Sequence, residues 1–248
     1  MSNPYIQTTE AQLAEMLAKV DAASIDELFA DQVPAGTEFH GQLGLPPPLS
    51  EAELVGEMSA LAARNTTTQQ AVSFLGGGIY DHFIPSAVGA IANRSEFVTA
   101  YTPYQPEASQ GTLQAFFEFQ TMVTRLFGMD VSNASLYDGA SALGEALFLA
   151  LQVKADRKLV LVPSTLHPDY RALATTYMRH FDVAVEAVPA DASGRMDAAA
   201  LRARPGEAAA LVLQQPNYLG IIEQAHDVSR IAHEAGALVV AVCDPLSL

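Results

Sequence analysis

A dense polar and aromatic tract, residues 101–111, is the first part of this sequence that could do chemistry. It brings the phenols of Tyr101 and Tyr104 close to the amide of Gln105 and the carboxylate of Glu107, and two prolines stiffen it. A stiff loop that carries phenols, amides and a carboxylate is typical of a site for a small polar ligand or a partner chain. We therefore expect these four residues to line a binding site.

Further polar residues stand where predicted strands end or a predicted helix begins. His167 and Asp244 follow predicted strands, and the carboxyl edge of a parallel sheet is where functional loops gather. Asp138 and Ser141 open a predicted helix, whose free N–H groups favour an anion such as a cofactor phosphate or a carboxylate. Structural roles remain open: a helix cap for Asp138, a cap or turn for Asp244, and a packing role for His167.

The supply of lysine restricts the possible mechanisms. An enzyme that binds its cofactor as a Schiff base needs a lysine in the cleft at the carboxyl ends of the strands. The three lysines, Lys19, Lys154 and Lys158, lie near the N-terminus or where a helix ends and a strand begins. We expect no covalent cofactor attachment in this chain. The six histidines lack the spacing of a metal-ligand set, so no metal is expected either.

The elements that position these residues form an alternating pattern. Apolar runs predict strands, and amphipathic stretches between them predict helices. The strands span residues 132–137, 158–162, 183–188, 208–213 and 237–243, and the helices span 140–153, 168–180, 197–204 and 224–234. Such alternation predicts a mostly parallel α/β sheet with helices on both faces.

Upstream, the pattern is helical. Ser24 with Glu27, and Ser50 with Glu53, fit capping boxes, and a run of three prolines lies between these two helix starts. We expect residues 1–70 to form an N-terminal helical arm and residues 71–248 to form a partial large domain. A long amphipathic helix within that domain should end at Gly128.

Composition excludes several classes of function. The 248 residues carry a formal net charge of -15, which disfavours nucleic acid and anionic membranes as partners. No apolar run has the length of a transmembrane helix. The single cysteine, Cys243, cannot form an intrachain disulfide, which favours a reducing compartment, the cytoplasm.

The C-terminal end of the sequence bears on its completeness. The chain stops just after the apolar run 237–243, which we expect to lie inside the sheet. Native domains rarely end in this way. We expect either that the sequence is a piece of a longer chain or that another chain completes the sheet.

Several motifs together resemble the glycine decarboxylase P-protein family over residues 5–248. They are the segments 73–82 (SFLGGGIYDH), 101–107 (YTPYQPE), 109–111 (SQG), 133–135 (NAS) and 215–217 (QPN). The match is to the N-terminal half of that protein, which corresponds to the alpha subunit of the two-subunit form.

The resemblance implies the fold-type-I architecture of pyridoxal phosphate enzymes, here incomplete. It implies a beta subunit that holds the cofactor covalently, a heterotetramer, and a reaction in which glycine loses carbon dioxide and its aminomethyl group passes to the lipoyl arm of the H-protein. By motif, the resemblance makes Tyr101, Tyr104, Gln105 and Glu107 candidates for lining the site at the subunit interface, and His167 is a further candidate there. Asp138 and Ser141 stand where a relative would hold the cofactor phosphate, and Asp244 is a further cofactor-binding candidate. These cofactor-binding roles are either retained or relics.

Two other hypotheses compete with this one. The chain could be a structural or regulatory subunit that only holds the beta subunit in shape. It could also be an independent pyridoxal phosphate enzyme, although the lysine positions argue against that. The hypothesis that the chain is the alpha subunit of a two-subunit enzyme predicts no activity for this chain alone.

Overall fold

The computed structural model describes residues 5–30, 32–34, 36–37, 39, 41–98, 101–204 and 206–248. Its contacts divide the chain into two units, Met1–Thr67 and Thr68–Leu248. The boundary that the sequence suggests, between residues 70 and 71, remains a prediction.

The first unit holds three helices, α1 (Glu10–Lys19), α2 (Ile25–Ala30) and α3 (Glu51–Ala62). Helix α3 begins with a complete capping box, because the Ser50 side chain accepts from the Glu53 N–H while the Glu53 side chain accepts from the Ser50 N–H. None of the described residues in these helices is buried. The capping box predicted at Ser50 and Glu53 is therefore confirmed. At Ser24 only one half forms: the hydroxyl accepts from the Glu27 N–H, while the Glu27 side chain accepts from the Ala23 N–H instead of the Ser24 N–H. The described residues of these helices form no core of their own.

The described part of the second unit begins with three helices that lie outside the alternating pattern of strands and helices. They are α4 (Ser86–Ala92), α5 (Ser95–Val98) and α6 (Gln110–Phe127). Helix α6 ends at Gly128, whose φ of 63° lies in the left-handed region that glycine adopts without strain. The predicted end of this helix is confirmed.

Four parallel strands form the sheet, in the order β2-β1-β3-β4. They are β1 (Leu159–Pro163), β2 (Ala184–Val188), β3 (Ala208–Gln215) and β4 (Leu238–Cys243). Helices α7 (Gly139–Val153), α8 (Pro168–Met178), α9 (Ala198–Arg202) and α10 (Ala225–Glu234) alternate with them. The parallel α/β architecture predicted from the pattern is confirmed.

Two apolar cores cover the two faces of the sheet, because side chains alternate along each strand. On β3, Ala210 and Val212 join the core formed with α7 and α8. Leu211 and Leu213 join the other core, formed with α9 and α10. This alternation places helices on both faces, as expected.

One detail differs from the sequence prediction. Residues 132–137 form no strand. Gln120 Nε2 donates to the Ser132 carbonyl, and the Asn133 side chain accepts from the Ser135 N–H, so local bonds and not a ladder hold the segment. Strand β4 pairs with β3 alone among the described strands, and its place inside a completed sheet stays a prediction.

Candidate functional site

A cleft of about 360 Å³ opens at the carboxyl edge of the sheet, where β1, β3 and β4 end. Parallel strands bring the loops that follow them to one edge, and ligand sites in such sheets form there. The lining residues are Gly77, Gly78, Tyr80, His167, Tyr170, Gln214, Gln215, Pro216, Val242, Cys243, Asp244 and Pro245. Two of the residues predicted from sequence, His167 and Asp244, thus meet in one cleft.

His167 lies in the turn between β1 and α8. Its Nδ1 atom accepts from the Asp169 N–H at 3.2 Å and so caps α8. The backbone N–H of His167 donates to Oε1 of the buried Gln214 at 2.8 Å. The imidazole also packs against the rings of Tyr170 and Tyr218, each with a centroid separation of 5.0 Å. The ring is therefore fixed in orientation at the wall of the cleft.

Asp244 follows β4, and both of its carboxylate oxygens have partners. Oδ1 accepts from the Leu246 N–H at 2.9 Å, and Oδ2 pairs with Nε2 of His82 at 2.9 Å. These bonds, with the Leu246 N–H the larger cause, lower the pKa of the Asp244 carboxyl. Asp244 therefore serves both as a turn former and as an anchor for a residue far away in sequence.

Asp138 and Ser141 lie at the start of α7. Asp138 Oδ1 accepts from the Ser141 N–H at 2.8 Å, and the Ser141 hydroxyl donates to Oδ2 at 3.0 Å. These bonds lower the pKa of the Asp138 carboxyl. The carboxylate thus already binds a helix N–H group that an incoming anion would use.

The start of α7 adjoins the cleft through Tyr170. A Cβ atom added to Gly139 would overlap the Tyr170 hydroxyl and come within 2.8 Å of the Tyr170 Cζ atom. The lack of a side chain at Gly139 thus allows the close approach of a cleft residue. Asp138 and Ser141 at the start of α7 thus lie at the same edge of the sheet as His167 and Asp244, which follow β1 and β4.

The polar and aromatic tract of residues 101–111, called the tyrosine tract below, takes a different position. Tyr101 and Tyr104 are 86% and 79% exposed, and Gln105 uses its carbonyl to accept from the N–H groups of Ala108 and Ser109. Glu107 borders a shallow groove beside α6. None of these four is among the residues that line the cleft within the part of the chain that the structure describes. Their assignment to a subunit interface remains a prediction.

A saturated polar network behind the cleft was not predicted from the sequence. Asn217 is fully buried, and its amide donates to the Gly194 carbonyl at 2.9 Å and to Glu223 Oε1 at 2.8 Å. Its Oδ1 accepts from the N–H groups of Leu219 and Ile221. The signal that could have found it is the polar run 214–217, directly after a strand of apolar residues.

Gln214 and Gln215 extend this arrangement to the cleft. Gln214 holds the His167 backbone, as described above. Gln215 Oε1 accepts from the Glu223 N–H at 3.1 Å, and its Nε2 donates to the Ser247 carbonyl at 3.2 Å. Amide side chains thus take the place of backbone partners in fixing the loops around the cleft.

The cleft does not fit covalent attachment of pyridoxal phosphate. Lys154 is the C-cap of α7, and Lys158 immediately precedes β1, so both lie at the opposite edge of the sheet. Lys19 belongs to the first unit. No lysine or arginine is among the described lining residues, and no group of three or more potential metal ligands was found in the described parts of the chain.

Comparison with known proteins identifies the relatives of this chain. The sequence profile of the family "Glycine cleavage system P-protein" matches residues 3–248. A "Probable glycine dehydrogenase (decarboxylating) subunit 1" from Chloroherpeton thalassium is 47% identical over 99% of this chain and 55% of its own length. The protein of the same description from Geobacillus kaustophilus is also 47% identical, over 100% of this chain and 55% of its own length. The chain therefore spans about half the length of the curated relatives it matches.

Solved structures agree with the sequence matches. A crystal structure of glycine decarboxylase (P-protein) in inhibitor-bound form superposes with a TM-score of 0.84 and 44% identity, and covers 98% of this chain and 54% of that one. Mouse CSAD, and Oryza sativa TDC with PLP, have TM-scores of 0.57 and 0.56 at 13% and 12% identity, which shows a shared fold alone. The fold-type-I architecture implied by the sequence is confirmed, and the chain belongs to the glycine cleavage system P-protein family.

Proposed function

We propose that this chain is the alpha, non-lysine part of a two-subunit glycine decarboxylase. In the proposed reaction, glycine loses its carboxyl carbon as carbon dioxide, and the aminomethyl group passes to the lipoyl arm of an H-protein. One observation carries the proposal: the chain belongs to this family, and no lysine is among the described residues that line its cleft at the carboxyl edge of the sheet. A beta subunit would then hold pyridoxal phosphate on its own lysine, and both subunits would work in the cytoplasm.

An exposed apolar surface on the second unit supports the need for a partner subunit. Large apolar side chains between residues 72 and 137 are exposed to an unusual degree, with Phe74 at 93%, Phe83 at 92% and Val131 at 82%. Proteins rarely leave so many large apolar side chains uncovered unless further polypeptide packs on them. We propose that the beta subunit covers part of this set.

The tyrosine tract lies in the same stretch of chain. Tyr101 and Tyr104 are exposed and therefore free to reach into a site that a second subunit completes. A phenol hydroxyl can hydrogen-bond a substrate carboxylate, a charge-assisted bond that stabilises by about 1.5–3 kcal/mol. In this proposal the two phenols bind glycine at the subunit interface.

Changing Tyr101 or Tyr104 to Phe tests this role. We expect each variant, assembled with the beta subunit, to lose turnover by about tenfold or more, because one charge-assisted hydrogen bond is lost. The measurement is exchange of the glycine carboxyl carbon with bicarbonate, alongside gel filtration of the complex.

Tyr177→Phe is the matched control, since Tyr177 stacks on Phe148 beside α7 and keeps that contact as Phe. If both interface variants assemble and turn over at the rate of the unaltered complex, the chain only supports the shape of its partner. That result would contradict the proposed role in substrate binding.

A further inference from the structure

A glycine-rich segment, residues 76–82, covers one side of the cleft. Gly77, Gly78 and Tyr80 are lining residues. Gly76, Gly77 and Gly78 have φ angles of 62°, 68° and 88°, a region that residues with side chains rarely adopt. The path of the segment across the cleft therefore depends on glycine and on whatever holds its two ends.

Burial of its own apolar side chains does not hold this segment. Ile79 within it is 72% exposed, and Phe74 and Phe83 on either side are still more exposed. Because these three side chains bury little surface, other contacts with the sheet edge hold the segment.

Two contacts attach the segment to the edge of the sheet. At one end, Gly77 lies so close to Tyr218 that an added Cβ atom would be 3.2 Å from the Tyr218 ring. At the other end, His82 Nε2 meets Asp244 Oδ2 at 2.9 Å, across 162 positions of sequence. The His82–Asp244 pair is thus the polar anchor of the segment.

Asp244 is a rigid acceptor for this anchor. Its backbone N–H donates to the Gln215 carbonyl at 3.0 Å, and its Oδ1 accepts from the Leu246 N–H. The side chain of Asp244 is 19% exposed, whereas that of His82 is 45% exposed. The acceptor is therefore oriented before His82 binds it, which reduces the entropic cost of forming the pair.

Tyr80 lies between the two anchors and lines the cleft. Its hydroxyl oxygen is shielded from solvent and has no hydrogen-bond partner among the described residues. A buried hydroxyl without a partner costs about 1–3 kcal/mol, so such groups normally bind a ligand or an ordered water.

We propose that His82 is a positioning residue for the glycine reaction: its bond to Asp244 fixes the segment 76–82 over the cleft and directs the Tyr80 hydroxyl to a hydrogen-bond acceptor on a small polar ligand. The His82–Asp244 and Gly77–Tyr218 contacts support the structural part of this proposal. Its kinetic part rests on the proposed function.

The test compares His82→Ala and His82→Gln in the assembled two-subunit complex. Amide hydrogen exchange of residues 76–84 measures the anchor, and the KM and kcat for glycine measure its consequence. We expect His82→Ala to speed exchange in this segment by tenfold or more and to raise the KM more than it lowers kcat. His82→Gln should recover part of both effects, because its Nε2 can still donate to Asp244.

His180→Ala is the matched control, since His180 is exposed and lies between α8 and β2, at the opposite edge of the sheet. Unchanged exchange of residues 76–84 in His82→Ala would overturn the anchor. Faster exchange with unchanged KM and kcat would overturn the positioning role. If the unaltered complex fails to turn over glycine while exchange responds as expected, the anchor stands and the proposed function fails.

Discussion

Replacing Asn217 by Ala should destabilise the second unit by about 3–5 kcal/mol, the largest effect we expect from a single substitution. The change removes two donors and an oxygen that accepts two N–H groups, all in a fully buried position. It leaves a Glu223 oxygen and the Gly194 carbonyl without these partners. Since domains are stable by only about 5–15 kcal/mol, urea unfolding should show a clearly lower midpoint.

Asn133→Ala is the matched control for this prediction. Asn133 is exposed and accepts one N–H, from Ser135, at 3.2 Å. Its removal should cost less than about 1 kcal/mol. Equal midpoints for the two variants would show that the Asn217 network contributes little to stability.

Replacing Gly144 by Ala should destabilise the chain although alanine is the better helix former. Gly144 is buried in α7 where it faces α8, and an added Cβ atom would be 2.6 Å from Tyr177 Cε2 and 3.3 Å from Leu173 Cδ2. The Tyr177 ring stacks on Phe148 and cannot move away freely. We expect a loss of about 1–3 kcal/mol from overpacking.

The same substitution at Gly89 should have the opposite sign. Gly89 lies in α4, and no atom lies within 4 Å of the position that its Cβ would take. Alanine there should stabilise by about 0.5–1 kcal/mol through helix propensity. Thermal unfolding of both variants measures the contrast, and a stabilised Gly144→Ala would show that the two helices are not closely packed.

The order of strands and helices could be predicted because the apolar residues of each element recur with one clear spacing. Val160 and Val162 on β1 join one core while Leu161 joins the other, which is the alternation that the apolar runs predicted. The prediction of a strand at residues 132–137 is wrong, because their apolar and small side chains resemble those of a strand. Periodicity does not reveal whether a neighbouring strand is present to pair with such a segment.

The site could be predicted only in part, and the reason is topological. His167 and Asp244 were found because each follows a strand, and parallel strands bring such positions together. His82 was missed as a site residue because its partner lies 162 positions away and no local pattern indicates that contact. Asn217 was missed because full burial of an amide is a tertiary property, which polar residue type alone does not indicate.

The geometry around the cleft supports the proposed division of the reaction between two chains. The side-chain amides of Gln214 and Gln215 hydrogen-bond the backbone of its loops, and its aromatic wall holds His167 in one orientation. A covalent cofactor, in contrast, requires a lysine amine, and no lysine is among the described residues that line the cleft. The chemistry that we propose therefore divides between two chains.

The most direct test of this division is to locate the cofactor. The chain is mixed with its beta-type partner and pyridoxal phosphate, then treated with borohydride, which makes any lysine linkage permanent, and each subunit is analysed by mass spectrometry. We predict that the cofactor label is found on a lysine of the partner alone, and that exchange of glycine carboxyl carbon before reduction requires both chains. A label on Lys19, Lys154 or Lys158, together with exchange by this chain alone, would contradict the account.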